Sequence, residues 1–298
     1  MTLRQLAYLV ALAREKNFRR AAEVSHVSQP TLSAGLRELE QELGVVLVLR
    51  NRHRFIELTD EGRIAVRWAQ QIVADSHTLR EQVKAGLDQI AGDLRLGVIP
   101  TGLPLIPAIS AVLRARHPRL RISVHSLTAS EILRRLDNLE LDAGVVYLQR
   151  DLPRRFRVLS NVEEKYVLAL PSTWIVREAR QISWQEAAHL PLGLLTPDMH
   201  NRHLIDAVFA AEHTKPDVVI EADSLHVLLN HVDAGVCATV IPETYLQQRA
   251  SWRNIRTLPL SPEHANSVVF IASQREPIAP VVAAFAAALE HGVWVEGH

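Results

Sequence analysis

The side chains whose types and spacing suit recognition chemistry lie near the start of the chain. Gln29, Thr31, Ser33 and Arg37 share a stretch with Leu32, Leu36, Leu39 and Leu43, which recur at offsets of four, three and four. That recurrence draws one apolar stripe along a helix, so the four polar residues fall off it and face outward. Amide and guanidinium ends match the donor and acceptor patterns of base edges in a major groove, and hydroxyls at a first helical turn suit phosphate oxygens. Arginines follow at Arg50, Arg52 and Arg54, with Arg19 and Arg20 upstream. Groups of this kind meet a phosphate backbone and make binding salt dependent.

Short helices and a hairpin must hold these groups. A first helix has a core face of Leu3, Leu6, Val10 and Ala13, and Asn17 caps a second carrying Phe18, Ala21, Ala22 and Val24. The small Ala21 and Ala22 let two helices approach. Ser28 caps the third helix, Pro30 is tolerated in a first turn whose nitrogens have no carbonyl partner, and Gly44 ends it. Val45–Leu49 and Phe55–Leu58 then flank the basic tip as two short β segments, the parts of a wing. Thr59, with Asp60 and Glu61 in the first turn, opens a long helix from about Asp60 to Gln89. Its apolar edge, Ile64, Ala65, Trp68, Ile72, Leu79, Val83 and Leu87, needs a partner, and the same helix of a second copy supplies one.

Beyond Gly92 the pattern alternates β then α. Strands are expected at Leu94–Ile99, Leu120–Ser126 and Leu141–Leu148, with helices at Leu103–Arg116 and Glu131–Leu139 between them. A similar series runs from Tyr166–Leu170 through Leu192–Leu195, His203–Ala211, Val218–Glu221 and Leu225–Val232 to Val236–Ile241. This reads as parallel, doubly wound α/β structure in two units with a cleft between them.

Composition narrows the function classes. Lys plus Arg equals Asp plus Glu at 33 each, so any nucleic-acid site is local rather than a property of the whole chain. Cys237 is the one cysteine, which excludes an intramolecular disulfide and a cysteine-built zinc cage, and its apolar neighbours make it a small core residue. Gln5–Ala13 is apolar enough to imitate a signal segment, yet the same residues fit the first helix, and a cytoplasmic protein is expected. The longest apolar run, Ile278–Leu289, is too short to span a bilayer and contains Pro280. No P-loop, GxGxxG, GxSxG or HExxH motif is present, so no enzyme and no cofactor are expected. The pairs His200 with His203 and His226 with His231 lack matching ligand spacing and read as surface histidines.

One family fits these parts. Leu3, Arg4, Leu6 and Tyr8, then Phe18, Ala21 and Ala22, then Val27–Pro30, Leu32, Ser33, Leu36, Leu39, Glu40 and Glu42–Gly44, then Leu58, Thr59, Glu61 and Gly62 resemble the signature of LysR-type transcriptional regulators. The likeness continues through Gly92–Gly97 and the stretch Ala234–Pro242. Ala34 and Gly35 depart from it, standing where the family often has a basic or amide pair, and Val46 and Val48 stand where it has proline and phenylalanine.

The resemblance implies an N-terminal winged helix-turn-helix at 1–59, a linker helix at 60–90 and an effector domain at 91–298. That last domain would be of periplasmic-binding-protein type, with subdomain I at 91–162 and 267–298 and subdomain II at 163–266. It implies promoter DNA contacted by Arg19, Ser28, Gln29, Pro30, Thr31, Ser33, Arg37, Arg50, Arg52 and Arg54. It also implies self-association as a homodimer and then a homotetramer, and contact with RNA polymerase if the protein activates. A small-molecule effector would enter the cleft near strand C-termini. Thr101 and Gly102 follow the first strand and open a helix, whose free N–H groups favour a small anion. Thr128 follows the second strand, although Thr128–Glu131 also reads as a capping box. Tyr147, Thr196 and His200 complete the expected set. The alternative, a periplasmic solute-binding protein, leaves residues 14–62 without a role.

Overall fold

The computed structural model describes residues 1–51, 54–84, 90–148, 152–174, 180–246, 252 and 254–290. The chain divides into two compact units, Met1–Asp88 and Gln89–His298.

In the first unit α1 (Leu3–Glu15), α2 (Phe18–Val24) and α3 (Gln29–Leu43) each begin on a side-chain cap. Thr2 and Gln5 form a reciprocal capping box on α1. Asn17 accepts from the N–H groups of Arg19 and Arg20 at 2.9 and 3.1 Å. The helices meet through Leu6, Leu9, Leu12, Phe18, Ala21, Ala22, Leu32, Leu36 and Leu39, all buried. Leu43, expected on the stripe, is 43% exposed, because the helix ends there and Gly44 turns the chain away at φ 69°. Gly35 is buried, and a Cβ there would stand 3.1 Å from the Tyr8 ring, so the small residue lets α1 lie close to α3.

The wing is β1 (Val48–Asn51) antiparallel to β2 (Arg54–Leu58). It is shorter than the sequence implied, since Val45 and Val46 are exposed and lie outside the strand. α4 (Asp60–Lys84) opens on Thr59, whose hydroxyl accepts from Gly62 N–H at 2.9 Å and donates to the Val46 carbonyl at 2.7 Å. Its Val66 and Ala69 join the core, whereas Ile64, Trp68, Ile72, Leu79 and Val83 are exposed. Leu87, expected on the same edge, lies outside the described residues.

In the second unit β3 (Gly92–Val98) is followed by a 3-10 turn at Pro100–Leu105, α5 (Ile106–Arg116), β4 (Leu120–Ser126), α6 (Ala129–Asp137) and β5 (Ala143–Tyr147). Then come β6 (Phe156–Pro171), β7 (Ile182–Ser183), α7 (Trp184–Ala188), β8 (Pro191–Leu195), α8 (His200–Ala211), β9 (Asp217–Ala222) and α9 (Leu225–Asp233). The unit closes with β10 (Thr239–Pro242), β11 (Ile255–Ser261), β12 (Ala265–Ser273) and α10 (Pro280–Glu290).

β3 pairs in parallel with β4 and β5, and β8 with β9, as the alternating pattern implies. The expectation of a wholly parallel sheet is corrected by β12, which runs antiparallel between β5 and β6, and by β10 and β11, both antiparallel to β6. β6 is the reason. Its first part pairs with β12 and its last residues pair with β10 and β11, so one strand of 16 residues serves three apolar clusters. One gathers around Leu96, Val145, Phe270 and Phe285, a second around Leu168, Trp184, Phe209 and Val240, and a smaller third around Val167, Leu225, Leu228 and Ile241.

Candidate functional sites

The N-terminal surface is built from α3 and the wing. Ser28 accepts from the Thr31 N–H at 3.3 Å, and its hydroxyl lies 2.7 Å from that of Thr31. Ser28, Pro30, Thr31 and Arg37 are exposed, and Gln29 and Ser33 are half-buried. Arg37 donates to the Ser33 carbonyl at 3.3 Å, and Arg19 pairs with Glu23 at 3.0 Å across one turn of α2. Both guanidinium groups sit on exposed surface, where such contacts are weak and exchangeable.

Arg50 is held differently, in a part-buried ion pair with Glu40. The other oxygen of Glu40 accepts from the N–H groups of Leu47 and Val48 at 3.0 and 3.2 Å. Glu40 therefore fastens the wing to α3, a role that sequence spacing alone does not show. Arg52 lies outside the described residues, and of Arg54 only the backbone, in β2, is described.

In the second unit a narrow cleft is lined by residues 99–101, 128–129, Tyr147, Leu195 and 199–201. It brings together Thr101, Thr128, Tyr147 and His200 of the expected set. Gly102 and Thr196 are not part of its lining. The Gly102 N–H is spent on the Ile99 carbonyl at 2.9 Å, and Thr196 donates its N–H to Ala222 O at 3.0 Å. The turn that begins at Pro100 is six residues of 3-10 helix, so the dipole expected at Thr101–Gly102 is short. Thr128 caps α6, accepting from Glu131 N–H at 3.3 Å, but the expected capping box is only half made. Glu131 turns instead to Arg134 and Arg135, whose hydrogen bonds lower its carboxyl to about 2.

A buried polar chain runs behind the lining. Tyr147 donates its hydroxyl to Thr101 at 2.9 Å, and the Asn201 amide donates to the hydroxyls of Tyr147 and Tyr166 at 2.9 and 3.1 Å. Asn266 donates to Tyr166 at 3.2 Å. Glu164 sits beside the two tyrosines, only 3% exposed, and neither of its carboxyl oxygens has a hydrogen-bond partner. Burial drives its carboxyl up to about 8. Burial foremost, then the Glu164 charge, raises both tyrosine hydroxyls. The His200 ring, 5.7 Å from that of Tyr147, is pushed toward its neutral form by burial and then by His203.

The sequence reading missed Glu164, Tyr166, Asn201 and Asn266. One signal was available, because Glu164 shares its parity with Tyr166, Leu168 and Leu170 along one strand, and period two puts all four on the buried face.

A model of bacterial regulatory helix-turn-helix proteins of the lysR family matches residues 3–63, and a model of the LysR substrate binding domain matches residues 87–293. The chain belongs to the LysR family of DNA-binding transcriptional regulators. Among LysR relatives, the DNA-binding transcriptional dual regulator OxyR of Escherichia coli K12 is 30% identical over 283 residues, covering 93% of this chain and 91% of that protein. A hydrogen peroxide-inducible genes activator of Haemophilus influenzae is 29% identical over 289 residues, covering 93% and 92%. Of solved LysR structures, a full-length OxyR variant from Pseudomonas aeruginosa superposes with a TM-score of 0.78 at 26% identity, over 97% of this chain and 95% of that one. CbnR complexed with its target DNA shares the fold, with a TM-score of 0.67 at 21% identity over 98% and 99%.

Two further observations bear on chemistry. Among the described residues no group of three or more His, Cys, Asp or Glu side chains is placed to hold a metal ion. No described helix is long and apolar enough to cross a membrane.

Proposed function

We propose that this LysR-family chain binds promoter DNA through α3 and the wing, as a cytoplasmic homodimer paired along α4 and assembled further into a homotetramer. Gln29, Ser33 and Arg37 read base edges. Arg19, Ser28, Pro30, Thr31, Arg50, Arg52 and Arg54 serve the phosphate backbone, with Arg50 contributing through the wing it holds to Glu40. The cleft beside Thr101, Thr128, Tyr147 and His200 takes a small anionic effector, and its closure biases the arrangement of subunits on DNA. Contact with RNA polymerase follows where the regulator activates. The observation that carries the reading is the polar outer face of α3, with Pro30, Thr31 and Arg37 exposed over the buried Leu32, Leu36 and Leu39.

The hydrogen peroxide response named for some relatives is not extended to this chain. A thiol reacts as its thiolate. Cys237 has no exposed surface, burial raises its thiol, and the chain has no second cysteine.

Binding to DNA from upstream of the protein's own gene, across a salt series and against scrambled competitor, tests the reading. Footprints spaced by helical turns are expected, with affinity falling steeply as salt rises. Retention no better than competitor, on that fragment and across a genomic library, would sink it. Thr101→Val should leave DNA affinity within about twofold while blunting the effector response, since it removes the hydroxyl that Tyr147 uses.

A further inference from the structure

The cleft offers hydrogen-bond donors without a cation. Thr101, Ala129, His200 and Asn201 line it, and none of their backbone N–H groups has an acceptor among the described residues. Ala129 opens α6, and His200 and Asn201 lie in the first turn of α8, where helix dipoles favour negative charge, while Thr101 lies in the short 3-10 segment. α8 has no side-chain cap at all, its N-cap position being Met199. No lysine or arginine lines the cleft among the described residues. The free space is about 10 Å³, on the order of what one water needs, so even a ligand of a few non-hydrogen atoms enters only as the cleft widens.

Two buried side chains are incomplete. Asn201 is 4% exposed and its amide oxygen has no partner, and both Glu164 oxygens lack one as well. Half a turn of the Asn201 amide would hand its oxygen to the two tyrosine hydroxyls and turn its N–H groups toward the cleft. The hydroxyls can reverse with it, Thr101 then donating to Tyr147. In that arrangement the Asn201 N–H groups need an acceptor, which a ligand in the cleft supplies.

We propose that the effector is a monovalent anion of a few non-hydrogen atoms, a short carboxylate in chemical class, and that it binds together with a proton held on Glu164. This rests on the reading of the cleft as the effector site and adds how its charge is balanced. An anion entering here meets N–H dipoles and hydroxyls. A second negative charge behind Tyr147 and Tyr166 would repel it at low local dielectric, whereas a neutral carboxylic acid does not.

The groups facing Glu164 are consistent with this. Tyr147 of β5 and Tyr166 of its own strand are both held neutral, and Asn266 of β12 lies opposite it in register. His200 of α8 is pushed toward neutrality, and Lys165 is engaged with Glu263 at 3.0 Å. The carboxyl value of about 8 keeps the proton in place at neutral pH.

Titration calorimetry of the full-length protein with formate and acetate, from about pH 6.5 to 9.5 in buffers of different ionisation enthalpy, reads affinity and proton uptake together. Affinity should be flat below about pH 8 and then fall close to tenfold per pH unit, with uptake approaching one proton per ligand. Glu164→Gln should abolish that dependence. Should the variant fail to fold, proton uptake by the wild type decides alone. Acetamide, succinate and inorganic phosphate should bind at least about tenfold more weakly than acetate. Acetamide binding as well as acetate, or carboxylate affinity indifferent to pH, would overturn the inference. Binding of larger or divalent anions alone would overturn it and leave the ligand-responsive reading standing. No response to any small molecule, by heat or by thermal shift, would overturn both.

Discussion

At the scale of single residues, Glu164 is the most consequential side chain the structure reveals. A carboxyl ordinarily near 4.5 and lifted to about 8 is protonated in the folded chain while already ionised in the unfolded one across that interval. The unfolded state then binds fewer protons, so this group's contribution lowers stability as pH rises from about 4.5 to 8 and is constant above. At roughly 1.4 kcal/mol per unit the full penalty is on the order of 4–5 kcal/mol, less where water reaches the carboxyl. Glu164→Gln carries no such term. Urea denaturation of the second unit should show the variant gaining several kcal/mol over the wild type between pH 5 and pH 8, on top of any constant offset. A difference that stays the same across that range would show that Glu164 ionises normally in the folded protein.

At the scale of elements, the junction of the wing with α4 shows how little freedom the N-terminal unit has. Gly62 sits in the first turn of α4, and a Cβ added there would stand 2.0 Å from the Leu47 carbonyl oxygen. Alanine normally gains about 1 kcal/mol over glycine within a helix. Here the clash is with a backbone atom that cannot rotate away, so overpacking wins, at roughly 1–3 kcal/mol or more. Gly62→Ala should lower the melting temperature of the first unit and weaken DNA binding together. A variant as stable as wild type would mean that the wing shifts freely against α4.

The same junction separates what could be read from sequence from what could not. Asn17, Ser28, Gly44 and Thr59 were legible because a cap is a local device, a side chain answering a backbone group a few residues away. The antiparallel β12 and the role of Glu40 were not, because each depends on partners brought from elsewhere. β12 lies more than a hundred residues from β5, and Glu40 answers N–H groups beyond a turn. Cleft residues divide the same way. Thr101 and Thr128 follow strands where ligands ordinarily bind, whereas Asn201 and Glu164 acquire meaning only through Tyr147 and Tyr166.

At the scale of the whole molecule, α4 is the element that a single chain leaves unfinished. Its buried positions, Val66 and Ala69, are satisfied within the first unit. Ile64, Trp68, Ile72, Leu79 and Val83 are between 38% and 76% exposed. Steps of four, four, seven and four along the helix place them on one drifting stripe, the pattern of a helix that meets another along its length. Exposed indole and aliphatic groups in a row are unfavourable to leave in water, at ~25 cal/mol for each Å² of apolar surface. A symmetric pair would cover the stripe on both copies at once. Such pairing would also set the distance between two α3 helices, so DNA affinity and assembly should fail together. Trp68→Glu combined with Leu79→Glu leaves the buried face of α4 untouched, and like charges would then meet across a two-fold axis. Sedimentation of this variant at micromolar concentration should show smaller species than the wild type, and its affinity for a two-site operator should drop by about a hundredfold or more, toward that of one DNA-binding unit acting alone. If the variant keeps the wild-type mass, the stripe is not the interface. If it becomes monomeric yet binds the operator as before, the spacing of the two recognition helices is set by some other contact.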